Sequence, residues 1–291
     1  MAQRKFDVVT DSGCDMGDAY YAEHGVECVK LGFTMNNVNY EGDSGEKISE
    51  KEFYAKLREG SMPTTYQVTS EMAKERIEKF LKNGRDVLVI AFSSGLSGTA
   101  GSFIVAAREL SETYPERKIY VVDSLCASMG EGLLLDYVIK KADGGATLEE
   151  TREYAEGLKL KIAHHFTVDN LFHLKRGGRV SATTAIIGSL LKIKPVMHVD
   201  DNGKLTVVGK AMGRKKALSQ LVQNFFDTAD ISDGDPVFIS HADCIEDVEQ
   251  VKSMISAKMP NVKFVVNYIG TVIGTHAGCG TIALFSKGTK R

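Results

Sequence analysis

The sequence predicts an α/β protein of two domains: an N-terminal domain built on a parallel sheet and a C-terminal α/β domain that contains an antiparallel hairpin. The apolar run from Asp86 to Phe92 has the pattern of a strand buried on both faces of a mostly parallel sheet. Strand patterns alternate with helix patterns through the first half of the chain. In the second half, Asp200-Asp201-Asn202-Gly203 lies between two strand patterns and is the strongest hairpin signal. We therefore expect domains at 1–160 and 161–291.

The composition is that of a globular protein, with 43% hydrophobic and 25% charged residues. A length of 291 residues favours two domains or one large α/β domain. The net charge of −2 gives no general reason to expect a nucleic-acid partner. No apolar stretch approaches the ~20 residues of a membrane span, and Met1 to Lys5 lacks the apolar region of a signal peptide. Five scattered cysteines without a C-x-x-C pair favour a reducing, cytoplasmic location.

In the first half, strands and helices are expected to follow one another in order. Capping boxes at Ser49 with Glu52 and at Thr147 with Glu150 mark two helix starts. Asp11-Ser12-Gly13 indicates an Asx-type turn after the first strand, with an acidic site as the alternative. The expected strands are Phe6–Thr10, Val26–Phe33, Asp86–Phe92 and Lys118–Asp123. Five helices are expected: one after Ser49, one with Met72 to Leu81, one at Ala100–Tyr114, one around Leu133–Ile139 and one from Thr147 to about Leu160. Residues 36–45 and 63–69 are expected to be polar loops.

In the second half, the helices and strands alternate less regularly. His276 lies among four glycines, so we expect it in a turn where the backbone can approach a ligand closely. The expected strands are His165–Val168, Pro195–Val199, Lys204–Val208, Val237–Ser240, Phe264–Asn267 and Ile282–Phe285; a small-residue helix is expected at Ser181–Leu191 and an amphipathic helix around Leu218–Phe226.

A serine-rich loop, Ser93-Ser94-Gly95-Leu96-Ser97-Gly98-Thr99, connects the central strand to the helix that follows it. Hydroxyl groups and unpaired backbone N–H groups at the start of a helix favour a bound anion, because the positive end of the helix dipole faces the ligand. The loop therefore predicts an anion site.

Several familiar catalytic motifs are missing from the sequence. The segment around Ser97 lacks the second glycine of G-x-S-x-G, which disfavours a serine hydrolase. There is no G-x-x-x-x-G-K-[ST] and no G-x-G-x-x-G after a strand, so we do not expect this chain alone to bind ATP. His164 and His165 point to opposite sides of a strand, and no H-E-x-x-H or C-x-x-C accompanies them, so a metal site is disfavoured.

Arg176-Gly177-Gly178-Arg179 is open to two interpretations. It is either a solvated basic turn or a place where guanidinium and backbone N–H groups converge on a carboxylate or phosphate. His276 is likewise either structural or functional.

Taken together, these segments resemble the DegV family, the bacterial fatty-acid-binding proteins that serve as binding subunits of a fatty acid kinase. The resemblance extends over nearly the whole chain, and the Ser-rich and Gly-Gly-Arg segments are its most specific parts. The matching segments are Thr10-Asp11-Ser12, Thr65-Tyr66-Gln67, Ser93 to Thr99, Gly177-Gly178-Arg179 and Ile273-Gly274-Thr275-His276.

The resemblance implies two α/β domains with an acyl chain buried between them, and a separate ATP-binding kinase as the partner. It implies a bound long-chain fatty acid and no other cofactor. Hydroxyls of Thr65 and Ser97 would hold the carboxylate, and Arg176 and His276 would complete the head site from the second domain. The implied fatty-acid-binding residues are Thr65, Ser94, Ser97, Gly98, Arg176 and His276. The sequence departs from the family pattern at Tyr66, Val68 and Cys279.

Three functions are therefore to be compared. The first is a non-catalytic carrier that presents a fatty acid to the kinase for acyl phosphate formation. The second is a serine esterase or acyl transferase using Ser97 with His276 as base, which needs a third group that orients the histidine. The third is a domain that senses another small anion, which needs a polar cavity in place of an apolar one.

Overall fold

The computed structural model describes residues 4–42, 45–181, 192–231 and 235–291. The predicted helix at Ser181–Leu191 lies almost entirely outside the described residues. The strands are β1 (Phe6–Asp11), β2 (Val26–Val29), β3 (Gly32–Met35), β4 (Val38–Glu41), β5 (Thr64–Tyr66), β6 (Asp86–Ala91), β7 (Ile119–Asp123), β8 (Ile162–Thr167), β9 (Ile193–Val199), β10 (Leu205–Met212), β11 (Pro236–His241), β12 (Lys263–Tyr268) and β13 (Ile282–Lys287).

The described α-helices are α1 (Asp18–His24), α2 (Glu50–Arg58), α3 (Ser70–Lys82), α4 (Thr99–Thr113), α5 (Met129–Asp143), α6 (Leu148–Leu158), α7 (Phe172–Arg176), α8 (Arg214–Thr228), α9 (Ile245–Ser256) and α10 (Thr271–Ala277). The capping box at Thr147 is complete, since Thr147 and Glu150 each accept a hydrogen bond from the other's backbone N–H. Ser49 caps α2 by accepting a hydrogen bond from the N–H of Glu52.

A four-stranded parallel sheet with the order β2-β1-β6-β7 forms the first half, as predicted. The central strand β6 is buried from Val87 onward. Helices α3 and α4 cover one face, and α5 and α6 cover the other. Covering both faces explains why β6 is continuously apolar rather than alternating.

A six-stranded mixed sheet with the order β10-β9-β8-β13-β11-β12 forms the second half. Only β11 and β12 pair in parallel, and the predicted hairpin joins β9 to β10. Helices α8 and α9 cover the outer face of this sheet. Both halves therefore have the predicted α/β architecture, while the domain boundary near residue 160 stays a prediction.

Helix α5 lies between the two large sheets. It packs against β6 of the parallel sheet and against β8, β11 and β13 of the mixed sheet. A helix covered by a sheet on each side is buried all round, and Met129 to Ile139 is continuously buried, with Glu131 and Asp136 among its mainly apolar residues. The core around α5 therefore draws side chains from both halves of the chain.

The prediction of one strand at Val26–Phe33 was wrong, because the chain leaves the parallel sheet after Val29. Residues from Gly32 onward pair instead in a small antiparallel sheet with the order β4-β3-β5. Asn36 and Asn37 both have positive φ, which is the geometry of a tight hairpin turn. The predicted loops at 36–45 and 63–69 thus contain β4 and β5, whose three or four residues are too few to show a periodic pattern.

The expectation that His276 lies in a turn was also wrong, because it lies in the last turn of α10. Glycines flank this short helix, and Gly274 lies within it against Tyr54 and Phe53, where no side chain would fit. The glycine-rich composition therefore reflects close packing as well as turns. Among the described residues, none of the helices is both long and apolar enough to cross a membrane.

Candidate functional site

A cavity of about 950 Å³, counted with the space at its mouth, lies between the two halves of the chain. Most of its wall is apolar and comes from the mixed sheet, α10, the loop after β6 and the residues just before α5. Its apolar lining includes Phe92, Phe166, Val199, Leu205, Val272 and Phe285.

The polar side chains in the wall include four from four separate segments: Thr65, Ser97, Arg179 and His276. Oγ1 of Thr65 and Nε2 of His276 lie 2.9 Å apart and share a hydrogen bond. Arg179 donates from Nε to the carbonyl oxygen of Leu96, 3.0 Å away, which places its guanidinium beside the Ser97 segment. We call these four residues the polar cluster.

His276 is positioned by Gly177, the residue directly after α7. A Cβ atom on Gly177 would lie 2.0 Å from Nδ1 of His276, so only glycine leaves room for the ring. Burial, together with the positive charges of Arg179 and Arg176, lowers the pKa of His276 to about 4. The ring is therefore neutral at pH 7 and acts as a hydrogen-bonding group rather than as a cation.

The buried carboxyl group of Asp11 holds the chain at the point where the serine-rich loop begins. Asp11 accepts a hydrogen bond from the N–H of Phe92 at 2.8 Å and another from that of Gly13 at 2.9 Å. The second contact is the predicted Asx-type turn. Burial raises the pKa of Asp11 to about 7, against the effect of these two hydrogen bonds. Asp11 thus fixes the place where β6 ends and the loop starts.

The backbone N–H groups of this loop are mostly engaged inside the protein. Those of Leu96 and Ser97 donate to the carbonyl oxygen of Ser93, and that of Gly95 donates to its hydroxyl. The N–H of Thr99 donates to Oγ of Ser97. An anion at this loop would therefore meet hydroxyl groups rather than the bare amides that the sequence pattern predicts.

The two arginines of the Arg-Gly-Gly-Arg segment lie in different surroundings. Arg176 is exposed at the end of α7 and donates to the carbonyl oxygen of Thr275, and it does not line the cavity. Gly178 has a φ of 73°, a left-handed conformation that turns the chain back so that Arg179 reaches the cavity. Of the two arginines, Arg179 and not Arg176 therefore lines the cavity.

Two further residues of the implied site, Ser94 and Gly98, are exposed and do not line the cavity. The N–H of Ser94 donates to the carboxylate of Asp123. A Cβ atom on Gly98 would lie 2.3 Å from the side-chain amide of Gln67, which lines the cavity. Gly98 thus acts by leaving space for Gln67, whose amide sequence reasoning did not identify as a cavity group.

The three departures from the family pattern differ in their relation to the cavity. Tyr66 lines it, with its ring against Gly32 and its hydroxyl donating to the carbonyl oxygen of Tyr40. Val68 is fully buried in the core, and Cys279 contacts the carbonyl oxygen of Tyr54. Only Tyr66 is therefore placed to change the shape of the cavity directly.

Other polar groups in the wall are already paired within the protein. His164 contacts the carbonyl oxygen of Ile162 through Nδ1 and accepts a hydrogen bond from the N–H of Ala127 at Nε2. The hydroxyl of Ser128 lies in a buried network with Asp15 and Ser240. The polar cluster is thus the part of the wall best placed to bind a charged group.

Comparisons with known proteins agree with this architecture. A family model described as "Uncharacterised protein, DegV family" matches residues 5–288. A DegV domain-containing protein of Clostridium perfringens is 42% identical over 285 residues, covering 98% of each chain. A DegV family protein of Thermus thermophilus, whose structure is described as showing fatty acid binding, is 30% identical with a TM-score of 0.86, covering 97% of this chain and 99% of that one.

A second solved structure is that of DegV from Bacillus subtilis, which is described as a fatty acid binding protein. It is 30% identical to this chain with a TM-score of 0.83, and the match covers 97% of this chain and 99% of that one. Family model, relatives and structures all span nearly the whole sequence. The chain therefore belongs to the DegV family.

Proposed function

We propose that this chain binds one long-chain fatty acid in the cavity, with the carboxylate at Thr65, Ser97, Arg179 and His276. The observation that carries the proposal is an apolar cavity with one polar cluster in its wall. The fatty-acid-binding descriptions of the Thermus thermophilus and Bacillus subtilis relatives support it.

The physical chemistry of the wall fits such a ligand. Each methylene transferred from water contributes about 0.8 kcal/mol, so a chain of ~16 carbons gains much of its affinity from the apolar wall. A carboxylate that leaves water needs donors and a nearby cation to stay ionised. Thr65 and Ser97 supply hydroxyls, and Arg179 supplies the charge.

Arg179 is well suited to this role because part of its guanidinium is already held. Nε and Nη1 donate to the carbonyl oxygens of Leu96 and Gly177, at 3.0 and 2.6 Å. Within the described part of the chain, no group accepts a hydrogen bond from Nη2. Burial lowers the pKa of Arg179 without neutralising it, so a bound carboxylate would restore a partner to a desolvated cation.

The esterase alternative receives less support from the geometry. Nε2 of His276 bonds Thr65, and Oγ of Ser97 lies 3.0 Å from Oγ1 of Thr99. Nδ1 of His276 is buried, and among the described residues no carboxylate or other group bonds it. A hydrolase base needs both a contact to its nucleophile and an orienting partner. The anion-sensor alternative is disfavoured by the mainly apolar wall.

We further propose that the bound fatty acid is presented to a separate ATP-binding kinase, which converts it to an acyl phosphate. The sequence has hydroxyls and a cation for one carboxylate but no Walker lysine motif, so the partner would bring the nucleotide and its metal. The isolated chain is then expected to consume no ATP, and ATP consumption with a cognate kinase added is the measurement. Appreciable ATP hydrolysis by the isolated chain would contradict this division of roles.

Binding is tested by titrating lipid-free protein with palmitic acid and with methyl palmitate, following displacement of a fluorescent fatty acid. The two share the apolar tail, and only the acid carries a charge for the polar cluster. Losing a hydrogen-bonded charge costs about 1.5–3 kcal/mol, so the ester should bind at least about tenfold more weakly. Equal affinities would contradict the carboxylate site. Release of free palmitate from the ester would favour the esterase.

A further inference from the structure

The turn of the β9–β10 hairpin rests on two loops of the parallel-sheet half. Oγ of Ser93 donates to the carbonyl oxygen of Gly203 at 2.9 Å, and Ser93 is fully buried. A Cβ atom on Gly203 would lie 2.1 Å from this hydroxyl and 3.1 Å from Cα of Leu125. The turn is therefore in close contact with the ends of β6 and β7.

The guanidinium of Arg291 connects the same turn to other segments. Nη1 donates to the carbonyl oxygen of Asp200 at 2.8 Å. Nη2 donates to the carbonyl oxygen of Lys159 at 3.0 Å and to Sγ of Cys126 at 3.1 Å. Arg291 is only 9% exposed, and no carboxylate of the described residues forms an ion pair with it. Its buried charge is thus balanced by carbonyl dipoles of the segments that it joins.

These contacts lie beside the cavity. Val199 and Leu205, the residues that flank the turn, are both part of the cavity wall. Displacing the turn would move two apolar side chains away from the loops of the parallel-sheet half. The wall would then open at this point.

Hydrogen bonds within the turn hold its shape, so the turn would move as a unit. Oδ1 of Asp200 accepts hydrogen bonds from the N–H groups of Asn202 and Lys204, which fixes the shape of the turn from within. Asp201 and Asn202 are exposed, so apolar packing of the turn itself is slight. In the described sheet, β10 is the edge strand and pairs only with β9. A few hydrogen bonds to backbone carbonyls thus hold the turn in place.

We propose that Ser93 and Arg291 are positioning residues that fasten the β9–β10 turn over the cavity and thereby set the rate at which the ligand leaves. This role rests on the proposed fatty-acid function. Neither residue lines the cavity, so each acts through Val199 and Leu205 rather than by touching the ligand.

The test compares Arg291→Met and Ser93→Ala with the wild type, and uses Lys290→Met as the matched control because Lys290 is exposed and adjacent. The protein is loaded with a fluorescent long-chain fatty acid and mixed with excess albumin. We expect release about 5–20-fold faster from Arg291→Met and Ser93→Ala and unchanged from the control. Arg291→Lys, which can still reach a single carbonyl, should be intermediate.

Hydrogen exchange on the lipid-free variants provides a second readout that does not depend on the ligand. We expect faster exchange confined to the turn and its flanking residues 199–205, with β11 unchanged. Release at the wild-type rate, or exchange accelerated equally in β11, would overturn the proposal. A wild-type protein that binds no fatty acid would contradict the proposed function, while the exchange data would still decide whether the turn is fastened.

Discussion

At the scale of single residues, the polar cluster depends on glycines as much as on the side chains that face the cavity. His276 reaches Thr65 because Gly177, directly after α7, has no side chain. Arg179 reaches the cavity because Gly178 takes a left-handed conformation. Close approach and positive φ are the two properties that only glycine supplies without strain.

The pair of arginines provides the sharpest prediction at this scale. Arg179→Met keeps most of the apolar stem but removes the charge beside the carboxylate. Its affinity for a fatty acid should fall about tenfold or more, because a hydrogen bond to a charged group is worth about 1.5–3 kcal/mol. Arg176→Met removes an exposed charge outside the cavity wall, so the loss should be clearly smaller. Displacement titration of both variants is the measurement, and the reverse order would assign the head site to Arg176.

The neutral state of His276 predicts a pH dependence of stability. The pKa is about 4 in the folded protein against 6.5 for an ordinary histidine. Between these values the unfolded chain binds a proton that the folded chain does not, so the free energy of unfolding falls as the pH falls from about 6.5 to 4. At about 1.4 kcal/mol per pKa unit, the effect is up to about 3.5 kcal/mol.

The effect of Asp11 on stability has the opposite sign, because its raised pKa makes the folded state bind a proton that the unfolded chain does not. A comparison of His276→Gln with the wild type isolates the histidine, because Asp11 is present in both. Lipid-free proteins are unfolded with urea from pH 4 to 7. The free energy of unfolding should fall less for the variant than for the wild type as the pH falls from 7 to 4. The same dependence on pH in both proteins would show that His276 is not held neutral.

The residues of the site were only partly predictable from the sequence. Thr65, Ser97 and His276 follow from matching motifs and do line the cavity. Arg176 and Arg179 flank the same two glycines, and only the φ of Gly178 separates their directions. No sequence pattern encodes that choice, and the space that Gly98 leaves for Gln67 is equally a property of the folded chain.

At the scale of elements, length and burial decide what a sequence pattern can reveal. The strand β6 and the hairpin β9–β10 carry long signals, and the structure confirms both. The strands β3, β4 and β5 have three or four residues each, which is too short for a period of two to be recognised. The apolar pattern of α5 shows that the helix is buried, but not that it lies between two sheets.

Shortening a buried side chain of α5 should therefore destabilise the protein. Leu134 is fully buried in the core that both halves share, so Leu134→Ala should lower the free energy of unfolding by about 2–5 kcal/mol through lost burial and a new cavity. Ile104→Ala on α4 is the matched control, because Ile104 is 53% exposed and should change stability by less than about 0.5 kcal/mol. Urea unfolding measures both, and equal effects would contradict the role of α5.

At the scale of the whole molecule, the two halves share the core around α5 and line an apolar cavity between them. Side chains from both sheets contribute to the core around α5, and the cavity opens beside it. Sealing such a space without a ligand leaves a costly void, because atoms that line an empty cavity lose their contacts. The architecture therefore favours a protein that keeps its ligand through purification.

The most direct test of this account is to identify what the protein carries. Protein purified from a bacterial host is denatured and extracted with organic solvent, and the extract is examined by mass spectrometry beside that of an unrelated protein prepared in parallel. We expect roughly one long-chain fatty acid per chain. An extract with no more fatty acid than the unrelated protein would contradict it.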